Sequence, residues 1–139
     1  MILSVGRAVE KKGYADLLEA LAALAPALCW RFVHIGGGPL LSRLKARARA
    51  LGLADKITWL GAQPHDVVLR WYREADLFVL ACRVARDGDR DGMPNVLLEA
   101  QSQGLACVTT RLSGIPELVE DGVTGVLTPP HDCRALSVA

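Results

Sequence analysis

Short apolar runs alternate along this chain with stretches in which apolar residues recur at helical spacing. Ile2-Leu3-Ser4-Val5-Gly6 is a compact apolar run closed by glycine and predicts a buried strand. After a polar turn from Arg7 to Gly13, Leu17, Leu18, Leu21 and Leu24 fall on one helical face, and Pro26 stops that helix. Trp30 to Ile35 predicts a second strand, ended by Gly36-Gly37-Gly38. Leu40, Leu44, Ala48 and Leu51 form one stripe of a helix whose Arg43, Lys45, Arg47 and Arg49 lie largely outside it, with Gly52 as its C-terminal cap. The pattern continues with a strand over Ile57–Leu60, a helix carrying Val67, Val68, Trp71 and Tyr72, and a strand over Leu77–Leu80. A charged loop from Arg83 to Arg90 precedes a helix over Asn95–Gln103. Ala106–Thr110 predicts a strand, Ile115–Val119 a short helix and Gly125–Thr128 a last strand, after which Asp132 opens a further helix.

Strands that are apolar nearly throughout, each followed by a helix, specify an α/β fold. It is a doubly wound, Rossmann-like parallel sheet covered on both faces. Such sheets bind ligands beyond the carboxyl ends of the strands, where strand order switches. Arg7, Gly36, Cys82, Asp91 and Thr110 all follow predicted strand ends, so the polar chemistry converges on one edge.

Composition narrows the function. With 139 residues, 51% of them apolar, the chain makes one packed domain over residues 1–139. A formal net charge of +1 supplies no field that would select nucleic acid. No apolar run approaches the ~20 residues of a membrane span, and the start shows no signal peptide. The four cysteines are widely spaced without a C-x-x-C pair, which argues against a metal site or disulfide framework and for reduced thiols in a cytoplasmic protein. His34, His65 and His131 are scattered, with no partner that would make a nucleophile motif, and read as structural. Gly36-Gly37-Gly38-Pro39 lacks the G-x-G-x-x-G spacing because position 41 is Leu, so a dinucleotide fingerprint is not supported.

The densest chemistry lies in Asp91-Gly92-Met93-Pro94-Asn95-Val96-Leu97-Leu98-Glu99-Ala100. Gly92 permits close backbone approach, and Pro94 suits a helix start, where a missing N–H costs nothing. The free amides of the first helical turn, with the helix dipole behind them, make an anion site. Glu99 lies far enough into the helix to return to the face of its start. This stretch resembles the E-x7-E signature of retaining glycosyltransferases with two Rossmann-like domains, family 4 in particular, with Asp91 in place of the first Glu. The resemblance extends over nearly the whole chain. It takes in Gly6-Arg7 with Lys12-Gly13, Gly36-Gly37-Gly38-Pro39, Asp76-Leu77-Phe78-Val79, Gly114-Ile115-Pro116-Glu117 and Asp121-Gly122-Val123-Thr124-Gly125. The wording Gly88-Asp89-Arg90-Asp91-Gly92 is similar to the branch that builds exopolysaccharides of the colanic acid type.

The resemblance implies the following site. Arg7 and Lys12, with Lys11 competing for the second place, contact the diphosphate of a nucleotide-sugar donor. Gly6, Gly36 and Gly38 line the nucleotide by backbone approach, or else are plain turn residues. Gly92, Met93, Pro94 and Asn95 offer backbone to phosphates and sugar. Glu99 accepts from the ribose hydroxyls, and Asp91 contacts the donor sugar near the reacting centre. No cofactor or metal is implied, although Asp87-Gly88-Asp89 has the spacing of a metal motif. Glu117 with Asp121-Gly122 would fix the loop beside the donor. The expected protein is the C-terminal, donor-binding half of a two-domain (B-type) glycosyltransferase, inactive alone. An N-terminal domain would bind the glycan or lipid-linked acceptor, and the full enzyme would lie in the cytoplasm or peripherally at the inner membrane. Missing terminal helices would leave apolar surface that promotes self-association. The alternative from another class is a non-catalytic nucleotide-binding or interaction module.

Overall fold

A computed structural model describes residues 1–139. Strand β1 (Ile2–Val5) leads through a 3-10 turn at Glu10–Lys12 to α1 (Tyr14–Ala22). The chain continues through β2 (Phe32–Ile35), α2 (Leu41–Ala50), β3 (Ile57–Gly61), α3 (His65–Glu74) and β4 (Leu77–Leu80). It ends with α4 (Asn95–Ser102), β5 (Cys107–Thr110), α5 (Ile115–Leu118), β6 (Gly125–Thr128) and α6 (Cys133–Val138). The six strands form one sheet in the order β3-β2-β1-β4-β5-β6, every pairing parallel. This is the doubly wound sheet that the sequence predicts.

Right-handed crossovers follow from strand twist, and they decide which face each helix covers. The steps from β1 to β2 to β3 run one way, so α1 and α2 share a face. The step from β3 to β4 reverses direction and sends α3 to the other face, where α4 follows. The packing agrees: α1 contacts α2 and α6, while Tyr72 and Arg73 of α3 bond to Glu99 and Gln103, at the end of α4. The point of reversal lies between β1 and β4, paired at Ile2–Leu77 and Leu3–Phe78. The core on both faces of that seam is fully buried, with Leu3, Phe78, Leu80 and Leu97 at 0% exposure.

Several element ends shift from the sequence pattern, α1 stopping at Ala22, short of Pro26. The second strand begins at Phe32 rather than Trp30, because Trp30 is half-buried outside the sheet and carries the Lys56 ammonium over its ring. The Arg7–Gly13 turn contains a helical turn, and Asp132 caps α6 as expected, its side chain accepting from the Ala135 amide.

Candidate functional site

The loop after β1 is shaped by Gly13. Its φ of 63° ends the 3-10 turn, and a Cβ there would stand 1.7 Å from the Ala81 carbonyl oxygen. Only glycine therefore lets this loop press against the end of β4. Arg83, just beyond β4, fastens it further. Its amide donates to the Lys11 carbonyl at 2.9 Å, and its guanidinium pairs with Glu10 at 3.0 Å and Asp16 at 3.1 Å. The end of β4 is held from the other side by Thr109, whose hydroxyl donates to the Leu80 carbonyl at 2.7 Å, and by Thr110, which donates to the Cys82 carbonyl.

The clamped loops bring three predicted residues together across the seam. Lys12 Nζ lies 2.8 Å from Asp91 Oδ2, and both side chains are largely buried, at 13% and 15% exposure. Lys11 Nζ lies 3.6 Å from Asp91 Oδ1 and 3.1 Å from Asp89 Oδ2. The hydrogen bond to Asp89 and the charge of Asp91 raise the Lys11 pKa above its ordinary value. The Cys82 thiol points at Asp91 Oδ2 from 3.5 Å. Burial pushes it up to about 12 against the pull of Lys12, so Cys82 stays a neutral thiol donor. Arg7 is exposed and has no acidic partner.

Helix α4 starts behind Asp91. Pro94 is buried at its N-cap with no side chain capping it. The amides of Asn95 and Val96 find no acceptor in the chain, leaving the positive end of the helix open. Gly92 is fixed by the Gly114 amide, which donates to its carbonyl at 2.9 Å. Met93 is exposed beside it. One turn inside, Glu99 Oε2 accepts from the Tyr72 hydroxyl at 3.1 Å, a hydroxyl also 3.3 Å from the Val96 carbonyl. Burial first, and the Glu99 charge second, raise the Tyr72 pKa, so the hydroxyl keeps its proton and donates. Oε1 of Glu99 has no partner, so the carboxylate is oriented with one oxygen available.

The glycine loop after β2 closes the other side. A Cβ on Gly36 would lie 2.0 Å from the Gly6 carbonyl oxygen, and one on Gly38 would lie 2.7 Å from backbone atoms of Ala8. The Ala8 amide donates to the Gly37 carbonyl at 2.7 Å. Gly36 and Gly38 are thus required for the two loops to lie side by side, and Gly37 faces open space. On the C-terminal side, Asp121 accepts from the Leu127 amide at 2.9 Å and pairs with Arg111 at 2.7 Å, which fixes the Asp121-Gly122 turn.

The structure therefore joins Lys11, Lys12 and Asp91 directly and sets Glu99 on the helix that follows. Sequence reasoning missed Tyr72, the residue that orients Glu99, and Arg83, which clamps the loop. Tyr72 read only as part of an apolar helical face, and Arg83 as one of several loop charges. A cavity of ≈ 490 Å³ on the α1/α2 side is lined by Glu10, Asp16 and Arg83 together with Arg43 and Arg86. No cluster of three or more His, Cys, Asp or Glu is placed to hold a metal, and no helix is long and apolar enough to cross a membrane.

Residues 1–139 match the family described as glycosyl transferases group 1. The amylovoran biosynthesis glycosyltransferase AmsK of Erwinia amylovora is 40% identical over 137 residues, covering 98% of this chain and 34% of its own length. WcaL of Salmonella typhimurium, named for colanic acid biosynthesis, is 39% identical over 137 residues, with 98% and 34% covered. The crystal structure of Anabaena Alr3699/HepE in complex with UDP superposes with a TM-score of 0.84 at 25% identity, over 99% of this chain and 37% of that one. The chain spans about a third of the length of the curated relatives it matches.

Proposed function

We propose that this chain, which belongs to the glycosyl transferases group 1 family, is the donor-binding domain of a retaining glycosyltransferase. The enzyme would move a sugar from a nucleotide-diphosphate donor to a glycan or lipid-linked acceptor. The observation that carries this reading is the meeting of Lys12, Asp91 and the open start of α4 at the switch point of the sheet, with Glu99 oriented by Tyr72 one turn away. The neighbouring fold crystallised with UDP supports it.

In this mechanism the diphosphate lies against the α4 amides, and Arg7 and Lys12 take its charge. Once the donor is bound, the α4 dipole and the two cations are already in place to stabilise the leaving group, which lowers the barrier to breaking the bond at the anomeric carbon. No metal has a part in it. Glu99 uses its free oxygen to accept from a ribose hydroxyl. Asp91, released from Lys12, accepts from a hydroxyl of the donor sugar. Gly6 and the Gly36–Gly38 loop bound the nucleotide by backbone. We place the acceptor on a domain outside these residues, in line with the third of the relatives' length that the chain covers. The 139-residue chain then binds donor but transfers nothing.

The test is a calorimetric titration of the folded chain with UDP, GDP and ADP, with amide shifts followed by NMR. One nucleotide moves the amides of Gly6, Gly36 and Asn95. Glu99→Ala and Lys12→Ala each weaken it by about 1.5–3 kcal/mol, the loss of a charged hydrogen bond, which is roughly tenfold or more. Amides unmoved at millimolar nucleotide in a folded sample would overturn the reading.

A further inference from the structure

A diphosphate would compete with Asp91 for the single ammonium charge of Lys12. In the free protein its Nζ is 2.8 Å from Asp91 Oδ2. Turning it toward a ligand leaves a carboxylate only 15% exposed facing a weak thiol donor, Cys82 at 3.5 Å. A buried carboxylate stripped of its cation is strongly destabilising. The ligand's binding energy would be consumed there unless a second cation took over.

Lys11 is placed for that. Its Nζ already stands 3.6 Å from the other oxygen, Oδ1, and is held there by Asp89 at 3.1 Å. Its carbonyl is pinned by the Arg83 amide at 2.9 Å, so its backbone does not need to move when Lys12 does. The two lysines differ in their surroundings. Lys12 has one acidic partner and is 13% exposed, while Lys11 has two and is 26% exposed.

We propose that Lys11 is a positioning residue that keeps Asp91 paired and in place when Lys12 transfers its charge to the donor diphosphate. The inference rests on the donor-site reading above and assigns the two neighbouring lysines separate tasks. Diphosphate binding is then an exchange of partners inside the site: Lys12 passes from Asp91 to phosphate while Lys11 closes on Asp91.

The test is a double-mutant cycle on the whole 139-residue chain, reading the dissociation constants of UDP and GDP by calorimetry, with circular dichroism confirming the fold. For the nucleotide that the unaltered chain binds more tightly, Lys11→Met raises the constant about tenfold, equivalent to ~1.4 kcal/mol, and Lys11→Arg restores it to within about twofold. In the Asp91→Asn background, Lys11→Met has no effect, because a neutral amide needs no cation. A direct phosphate contact by Lys11 would weaken binding by the same factor in both backgrounds, and that result overturns the proposal. So does unchanged affinity in Lys11→Met. If the unaltered chain binds neither nucleotide, the donor-site reading falls first and takes this assignment with it. Binding by the unaltered chain with a flat cycle removes the Lys11 role alone.

Discussion

Acidification should destabilise this domain through His34 before its carboxylates are protonated. The ring lies in β2 with no exposed surface. It is edge-on to Tyr14 at 4.6 Å and tilted against Trp59 at 5.2 Å. Neither ring nitrogen has a partner of good hydrogen-bond geometry. Burial lowers its pKa to about 4, the Gly6 backbone offsetting only part of this and the Lys45 charge adding to it. In the unfolded chain an ordinary histidine titrates near 6.5. Between these values the unfolded state binds a proton that the folded state refuses, so stability falls as pH falls. Nothing is lost above about pH 6.5. At pH 5 the loss is ~2 kcal/mol, and below pH 4 it levels at ~3 kcal/mol, from 1.36 kcal/mol per pH unit. Urea denaturation at pH 7.5 and pH 5, on the parent and on His34→Leu, isolates the effect from the carboxylates common to both. The parent should lose ~2 kcal/mol more than the variant. Parallel losses would refute the reasoning, because they would mean that the ring is protonated or solvated in the fold.

Gly13→Ala should cost ~3 kcal/mol or more in urea denaturation, since the new methyl meets the Ala81 carbonyl in a left-handed conformation; a loss under ~1 kcal/mol would mean that the loop is free to lift. Tyr72→Phe removes the hydroxyl from Glu99 and from the Val96 carbonyl; stability should fall by ~1 kcal/mol and nucleotide affinity several-fold, and unchanged affinity would detach Glu99's orientation from binding. The nucleotide titrations of Glu99→Ala, Lys12→Ala and Lys11→Met complete the set.

The sheet could be read from the sequence because its strands are short, nearly continuous apolar runs, several of them closed by glycine. The run from Leu77 to Leu80 had no competing pattern, and the observed strand has those bounds. Trp30 misled because an aromatic beside a strand looks like part of it, while its position depends on Lys56, far along the chain. In the site, residue types were legible and partners were not. Lys11, Lys12, Asp91 and Glu99 stood out by type and spacing. Their pairing depends on a loop laid against β4 by Gly13 and Arg83, which no local pattern encodes. Tyr72 reaches Glu99 only because the reversal of strand order puts α3 and α4 on one face. The glycines of the β2 loop were legible as glycines. That two of them are demanded by Gly6 and Ala8, independently of any ligand, required the coordinates.

The seam between β1 and β4 also orders the folding of the molecule. β1, β2 and β3 pair through near neighbours in the chain and can assemble from the first 61 residues. β4, β5 and β6 can do the same among themselves. Within the sheet the halves are joined by the pairing of Ile2 with Leu77 and Leu3 with Phe78, reinforced by α1 against α6 and by Arg83 on Glu10 and Asp16, and contacts so distant in sequence close slowly. During synthesis the first half must wait, with one edge of β1 open, until the second emerges. The groups of the site belong to both halves, so they come together last, and any ligand spanning them acts as a staple on the docked state. Binding competence would thus be the final event of folding, and loss of docking the first step of its undoing.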